Sequence, residues 1–179
     1  MPTDAEGQFT ETQRAGWSVR QGDQDRTLTA MHQLEAALGA AASGRQAPWR
    51  QEVITALEVL DEVTSAEEVN AHQPDSLLSD IKRTQPRLRS RVRGVQAQYR
   101  QLRRTLDELR EEFTQAADVE GEIDVADIRQ RLAWLLTALR HQRARESDLI
   151  YEAYFDAFTT DLTADTTDPP PEEGLTRPH

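Results

Sequence analysis

The chain has 179 residues, with 32 Asp and Glu against 21 Lys and Arg, a formal net charge of −11 and no cysteine. This length suits a single domain with a full core. The lack of cysteine excludes disulfides, thiol catalysis and Cys-ligated zinc or iron–sulfur sites, and the negative charge argues against general affinity for nucleic acid, because phosphate binding needs cationic surface.

Both ends of the chain are predicted to lie outside the folded domain. Residues 1–16 form a polar N-terminus that we expect to be flexible, and residues 159–179 form an acidic, proline-rich tail that we expect to be disordered. The helical domain is therefore predicted to span residues 17–158. Neither a signal peptide nor an apolar run of about 18 residues is present, so we expect a cytoplasmic protein with no membrane contact.

The first predicted helix runs from about Thr12 or Trp17 to Ala42. An advance of about 100° per residue puts seven of its side chains on one inward stripe. These are Trp17, Gln24, Leu28, Met31, Glu35, Leu38 and Ala42.

The second predicted helix opens at Pro48, because proline is favoured in a first helical turn. Its inward stripe consists of Val53, Leu57, Leu60 and Thr64, with Glu67 and Glu68 below it. The helix is expected to end near residues 70–73. A short helical segment over residues 76–83 then precedes a second break at Pro86.

The third predicted helix carries the clearest pattern in the sequence. Eight residues alternate in spacing between four and three, which puts them on one stripe of a helix that ends near Ala117. They are Leu88, Val92, Val95, Tyr99, Leu102, Leu106, Leu109 and Phe113. Seven have no polar side-chain atom, whereas Tyr99 brings a hydroxyl that needs a partner in the core.

Charge is divided between the second and third predicted helices. Residues 51–81 contain eight acids and no Lys or Arg, and residues 81–104 contain nine bases and no acid. One interpretation is a basic helix that binds nucleic acid or an acidic partner. We favour the other, in which neighbouring antiparallel helices have complementary flanks, worth about a few tenths of a kcal/mol per exposed pair.

The fourth predicted helix runs from about Asp124 to Phe158. Its inner face consists of Ile128, Leu132, Leu135, Leu139, Leu149 and Ala153, with Gln142 and Glu146 on the same side. Strand patterns are absent from the sequence. Four long helices with short connections predict an all-α fold, an antiparallel up-down-up-down four-helix bundle.

Aromatic residues cluster towards the predicted helix ends. Trp17, Trp49 and Trp134 are expected to cap the core there. Four aromatic residues extend past the usual overlap of four helices, and they either pack under the N-terminal segment or form an apolar patch for a partner. They are Tyr151, Tyr154, Phe155 and Phe158.

Polar residues recur at core positions partway along the helices. The predicted core polar cluster consists of Glu35, Tyr99, Gln142 and Glu146. Because an isolated buried charge costs roughly several kcal/mol, carboxylates there must be protonated, paired or bound to metal. Facing carboxylates and histidines are also how helical bundles hold metal ions.

Several short motifs occur in a particular order between Trp17 and about Phe158. They are MHQL at residues 31–34, PDSLL at 74–78, AQYRQL at 97–102, WLL at 134–136, His141, Glu146 and DLIYEAY at 148–154. In this order and spacing the chain resembles the hemerythrin-like, cation-binding family of four-helix bundles. The resemblance implies a bundle core of the kind that holds a non-haem di-iron centre through several histidines and bridging carboxylates.

The sequence departs from that family at the ligand positions. His32 stands where the first helix would supply a histidine, and Glu146 fits the carboxylate of the fourth. Tyr99, however, stands in place of a ligand histidine of the third helix, and Thr64 in place of the histidine that precedes Glu68. Imidazole suits iron, and the chain has only four histidines. We therefore expect no standard di-iron centre.

The resemblance and its departures together predict a non-enzymatic binding or regulatory protein with an incomplete, metal-free site and no cofactor. Its partner would be an unidentified protein or small molecule. The alternative is a metalloprotein with a reduced non-haem iron, manganese or zinc site in the core. The candidate ligands for that site are His32, Glu35, Glu68, Tyr99, His141 and Glu146, although His141 is predicted to point away from the core, where Gln142 faces inward.

Overall fold

The computed structural model describes residues 9–40, 44–118 and 124–156, which form five α-helices and no strand. The helices are α1 (Glu11–Gly39), α2 (Gln46–Ala71), α3 (Leu77–Thr84), α4 (Arg89–Asp118) and α5 (Val125–Tyr151). A 3-10 turn, Pro86–Leu88, leads into α4, and a π-helical turn, Glu152–Asp156, continues α5. The all-α class is confirmed, and the short segment predicted at 76–83 is a helix of its own. Residues 1–8, the end of the first predicted helix at 41–42 and the tail at 159–179 lie outside the described residues.

Local capping explains where the helices begin. Thr10 and Gln13 exchange side-chain and backbone hydrogen bonds in a capping box, so α1 starts at Glu11, before the domain boundary predicted at residue 17. Ser76 accepts a hydrogen bond from the backbone N–H of Ser79 and begins α3. Asp124 caps α5 in the same way.

Neighbouring long helices run antiparallel. In each pair, residues early in one helix contact residues late in the other. The contacts that establish this are Thr27–Glu67 and Ala37–Trp49 for α1 and α2, Glu67–Tyr99 and Trp49–Phe113 for α2 and α4, Tyr99–Glu146 and Glu112–Arg131 for α4 and α5, and Arg20–Glu146 and Ala40–Arg129 for α1 and α5.

The seam predicted along α4 is confirmed, since none of its eight residues is more than 9 % exposed. The buried apolar residues form two clusters. One contains Leu102, Leu106 and Phe113 of α4 and lies towards the α1–α2 connection. The other contains Leu88, Val92 and Val95 and lies towards α3. Several buried polar residues, among them Glu67, Gln142 and Glu146, lie where the two clusters meet, at the height of Tyr99.

The inward face of α1 is rotated relative to the prediction. Leu28 is 41 % exposed, and the Glu35 side chain is 38 % exposed and pairs with Arg140. The buried face consists of Asp23, Thr27, Ala30, Met31, Leu34 and Leu38. The prediction followed the large apolar side chains, whereas the buried face includes the small Ala30 and Thr27, which donates to Glu67 of α2.

The three tryptophans lie in different surroundings. Trp49 is buried and packs edge-on against Phe113. Trp17 is half-buried in a cluster with Phe9, Tyr154 and Phe155, which places those aromatic side chains beside the start of α1. The prediction that Trp134 caps the core is wrong, because it is 60 % exposed on the outer side of α5. Phe158 lies outside the described residues.

None of the helices in the described part of the chain is both long and apolar enough to cross a membrane.

Candidate functional site

A tyrosine hydroxyl lies between two carboxylates at the centre of the helical core. Tyr99 of α4 donates to Glu146 Oε2 of α5 at 2.7 Å, and its oxygen lies 3.2 Å from Glu67 Oε1 of α2. All three residues are at most 5 % exposed. Glu146 belongs to the core polar cluster that the sequence predicts around this hydroxyl. We call Glu67, Tyr99 and Glu146 the central triad.

The central triad has one phenol hydrogen for two carboxyl groups. Tyr99 carries one hydroxyl hydrogen and can donate to one carboxylate at a time. Burial raises the pKa of Glu67, and the nearby charge of Glu146 adds to the shift, although hydrogen bonds from Thr27 and Tyr99 and the charge of Arg143 oppose it. Protonated Glu67 would donate to the Tyr99 oxygen, and Tyr99 to Glu146. Burial, with the two carboxylate charges, also holds the pKa of Tyr99 well above its usual value.

Two arginines flank the central triad at long range. Arg20 Nε lies 3.4 Å from Glu146 Oε1, and Arg143 Nη1 lies 3.4 Å from Glu67 Oε1. Charge-assisted hydrogen bonds normally measure about 2.7–2.9 Å, so both pairs are loose. Thr27 makes the tighter contact, donating to Glu67 Oε2 at 2.6 Å.

Gln142 completes the polar layer from α5. It is buried beside the Tyr99 hydroxyl. Its Nε2 has no hydrogen-bond partner among the described residues. A void of about 10 Å³ next to it is lined by Thr64, Arg103 and Tyr99 and has the size of a single water molecule.

The structure brings together three of the four residues of the predicted core polar cluster, namely Tyr99, Gln142 and Glu146. Glu35 does not join them. The rotation of α1 carries its carboxylate to the outside, where it pairs with Arg140 of α5. The corresponding inward positions of α1 are held by Asp23 and Thr27.

The candidate metal ligands are dispersed. His32 and His141 are exposed, and Glu68 lies 3.7 Å from Arg103 at the edge of the core. No three His, Asp or Glu side chains within residues 9–40, 44–118 and 124–156 converge as a metal site would require. The residues that do meet in the core, two carboxylates and a phenol flanked by guanidinium groups, do not fit an imidazole-rich di-iron centre.

Sequence reasoning placed Glu67 and Glu68 below Thr64 on α2 but took only Glu68 into the candidate site. Glu67, not Glu68, enters the core. The signal was present, because the spacing of Val53, Leu57, Leu60 and Thr64 continues by three to residue 67. The resemblance to the family instead favoured the acid four residues after Thr64.

A cavity of about 170 Å³ opens next to the central triad. It lies between the first half of α1, the end of α2 and the start of α3. Glu67, Tyr99 and Glu146 line its inner end, together with Asp23 and Arg20. Its apolar wall is made by Ala15, Val19, Ala71, Leu77 and Leu78. The central triad is therefore reachable through a small amphipathic pocket.

A second polar cluster fixes α3 to its neighbours. Asp80 accepts hydrogen bonds from Gln13 of α1, Arg83 of α3 and Tyr154 of the π-helical turn. Burial alone would raise the pKa of Asp80, but these donors outweigh it and lower the pKa. This cluster holds the α3 side of the cavity in position.

Some of the acidic residues of α2 form ion pairs with basic residues of α4. Arg103 and Arg110 of α4 both pair with Asp61 of α2, and Arg103 also approaches Glu68. Further along, Arg87 and Arg91 pair with Glu152. Glu152 follows α5, so only the contacts with Asp61 and Glu68 agree with the interpretation of complementary flanks.

Comparisons of the chain with protein-family models, curated proteins and solved structures found no match.

Proposed function

We propose that the protein is a hemerythrin-like, up-down-up-down four-helix bundle whose metal site is replaced by the central triad, and that it acts in the cytoplasm as a non-enzymatic, metal-free binding protein. The observation that carries the proposal is the hydrogen bond from Tyr99 to Glu146 at 2.7 Å, at the position where the resemblance expects a ligand histidine. The reverse order of contacts along the helix pairs supports the bundle topology.

The bonding of the central triad supports a binding role rather than catalysis. Tyr99, Thr27, Arg20 and Arg143 already contact its two carboxylates. A satisfied buried network of this kind rigidifies a core. The adjacent cavity, with apolar walls and convergent polar groups, is the type of pocket that binds small molecules.

Elemental analysis of the purified protein by plasma mass spectrometry, together with its visible spectrum, tests the metal-free part of the proposal. We expect less than one metal ion per ten chains and no absorption band from tyrosinate bound to ferric iron. Stoichiometric iron, manganese or zinc that is lost in Glu146→Ala but retained in the surface control Glu112→Ala would contradict the proposal. In that case the metalloprotein alternative would hold.

A further inference from the structure

We propose that the cavity beside the central triad binds a small primary amine as its ammonium ion, with a short hydrocarbon chain against the apolar wall. This inference rests on the binding function proposed above and specifies its ligand class.

The size of the cavity limits the ligand. Its volume is about 170 Å³, close to the roughly 150 Å³ of an engineered apolar cavity that accommodates benzene. At Gly16, an added Cβ would lie 3.3 Å from the Asp75 carbonyl oxygen and from Leu77, so α1 and α3 approach closely at the rim. A ligand of about six non-hydrogen atoms therefore fits, and a bulky one does not.

The charges at the inner end favour a cation. Asp23 and Glu146 are buried carboxylates that line the cavity, beside Glu67, whose pKa burial raises. Arg20 is the one cationic side chain among the described lining residues, and it lies 3.4 Å from Glu146. Burial of carboxylates is costly unless charges of opposite sign compensate for it. Arg20 and Arg143 supply part of this compensation, each from 3.4 Å, and an ammonium group at the inner end would supply more.

Asp23 strengthens this argument because its existing partners leave it negative. It accepts two hydrogen bonds from the neutral amide of Asn70, at 3.0 and 3.2 Å. Its charged partner is Arg26, whose guanidinium is mostly exposed to solvent and screened by it. A ligand ammonium has three donors, which suits a lining that offers carboxylate acceptors such as Asp23 and Glu146.

The apolar wall determines the rest of the ligand. Val19, Leu77 and Leu78 offer no hydrogen-bonding side-chain atoms, so a polar group placed against them would lose its water without replacement. The polar lining residues outside the inner end are Asn70, Gln73, Asp75 and Ser76. A short alkyl chain loses nothing there and gains about 0.8 kcal/mol for each buried CH₂. The geometry thus points to an amphipathic monoamine rather than an amino acid, whose carboxylate would also meet the acidic end.

Titration calorimetry of the full chain with n-butylamine, 1-butanol and sodium butyrate at neutral pH tests the ligand class. We expect the amine to bind at least tenfold more tightly than the alcohol of the same length, and butyrate not to bind. Equal affinity for amine and alcohol, or tighter binding of butyrate, would overturn the inference. So would a lack of measurable amine binding.

Variants test the site itself. Ala15 is exposed and lines the cavity, so Ala15→Leu should fill part of the cavity without disturbing the core and weaken amine binding at least tenfold. Ala36→Leu is the matched control, because Ala36 is exposed on the same helix and does not line this cavity. We also expect Asp23→Asn to weaken binding, with circular dichroism reporting whether it folds. Unchanged binding in Ala15→Leu would locate the amine elsewhere. None of these outcomes depends on the metal content of the protein. A failure of the amine proposal can therefore be told apart from a failure of the proposed metal-free function.

Discussion

Tyr99 is the one residue of the α4 seam that carries a polar atom into the core, and its hydroxyl is satisfied by Glu146. Tyr99→Phe would remove that donor and leave the buried carboxylate with Arg20 at 3.4 Å. We expect a loss of roughly 1–3 kcal/mol in the free energy of unfolding, measured by urea denaturation. Tyr151→Phe, at an exposed position of α5, serves as the control. A neutral or stabilising effect of Tyr99→Phe would show that the hydrogen bond contributes nothing to stability.

Glu67 should make the protein less stable as the pH rises, whereas an ordinary ion-paired acid makes a protein less stable as the pH falls. Its pKa in the fold lies above the ordinary value of 4.5, so the folded state binds more protons than the unfolded state above that pH. Its contribution is complete below pH 4.5 and is lost as the pH rises through the folded-state pKa. We expect Glu67→Gln to flatten this fall, as seen in unfolding curves from acid to neutral pH.

Glu112 provides the opposite control for that measurement. A hydrogen bond from Arg131 lowers the pKa of its exposed carboxyl, so its small contribution is present above pH 4.5 and is lost as the pH falls. Glu112→Gln should therefore leave the fall towards neutral pH intact. If Glu67→Gln and Glu112→Gln change the pH profile alike, the assignment to Glu67 is incorrect.

The sequence predicts those site residues that lie on regularly spaced stripes of the helices. Tyr99, Gln142 and Glu146 follow from periodicity, because each continues an unbroken apolar stripe. Glu35 does not, because its assignment depended on the rotation of α1. Arg20 and Arg143 could not be foreseen, since long side chains reach the core from flanking positions and leave no periodic signal.

At the scale of the helix, α4 and α1 differ in how strongly their sequences specify a face. The α4 seam has eight large residues without interruption, and all are buried. In α1, the buried face includes Asp23, Thr27 and Ala30. Small or polar residues such as these contribute little to a hydrophobic pattern. The prediction therefore placed the exposed Leu28 on the inward face and assigned α1 the wrong rotation. The short α3 was predicted because Pro74 and Pro86 delimit it.

Two leucines of α1 test its rotation directly. Leu34 is fully buried, whereas Leu28 is largely exposed. We expect Leu34→Ala to cost about 2–5 kcal/mol through lost burial and a residual cavity, and Leu28→Ala to stay within about 0.5 kcal/mol as a surface change. Thermal or chemical unfolding of the two variants gives the comparison. A larger loss of stability in Leu28→Ala than in Leu34→Ala would support the inward face of α1 that the sequence predicts.

At the scale of the whole molecule, the dispersal of the histidines predicts how the protein responds to metal. Binding at a concentration a hundredfold above the dissociation constant would add about 2.7 kcal/mol, which is a rise of several degrees in melting temperature for a chain of this size. We expect Fe²⁺ and Zn²⁺ to produce no such rise in a thermal melt. A rise that disappears in both His32→Ala and Glu146→Ala would contradict this expectation.

The different surroundings of the three tryptophans have a consequence for fluorescence. Trp17 stands next to Gly16 at the cavity rim, with the Arg20 guanidinium 5.8 Å from its ring, while Trp49 is buried at the other end of the helices and Trp134 faces solvent. A soluble quencher would extinguish the red-shifted emission of Trp134 first. The remaining emission would come from Trp17 and Trp49, and a molecule that moves Arg20, which lines the cavity, would change the part from Trp17. The protein therefore carries its own optical probe of that site, with Trp49 as the internal reference.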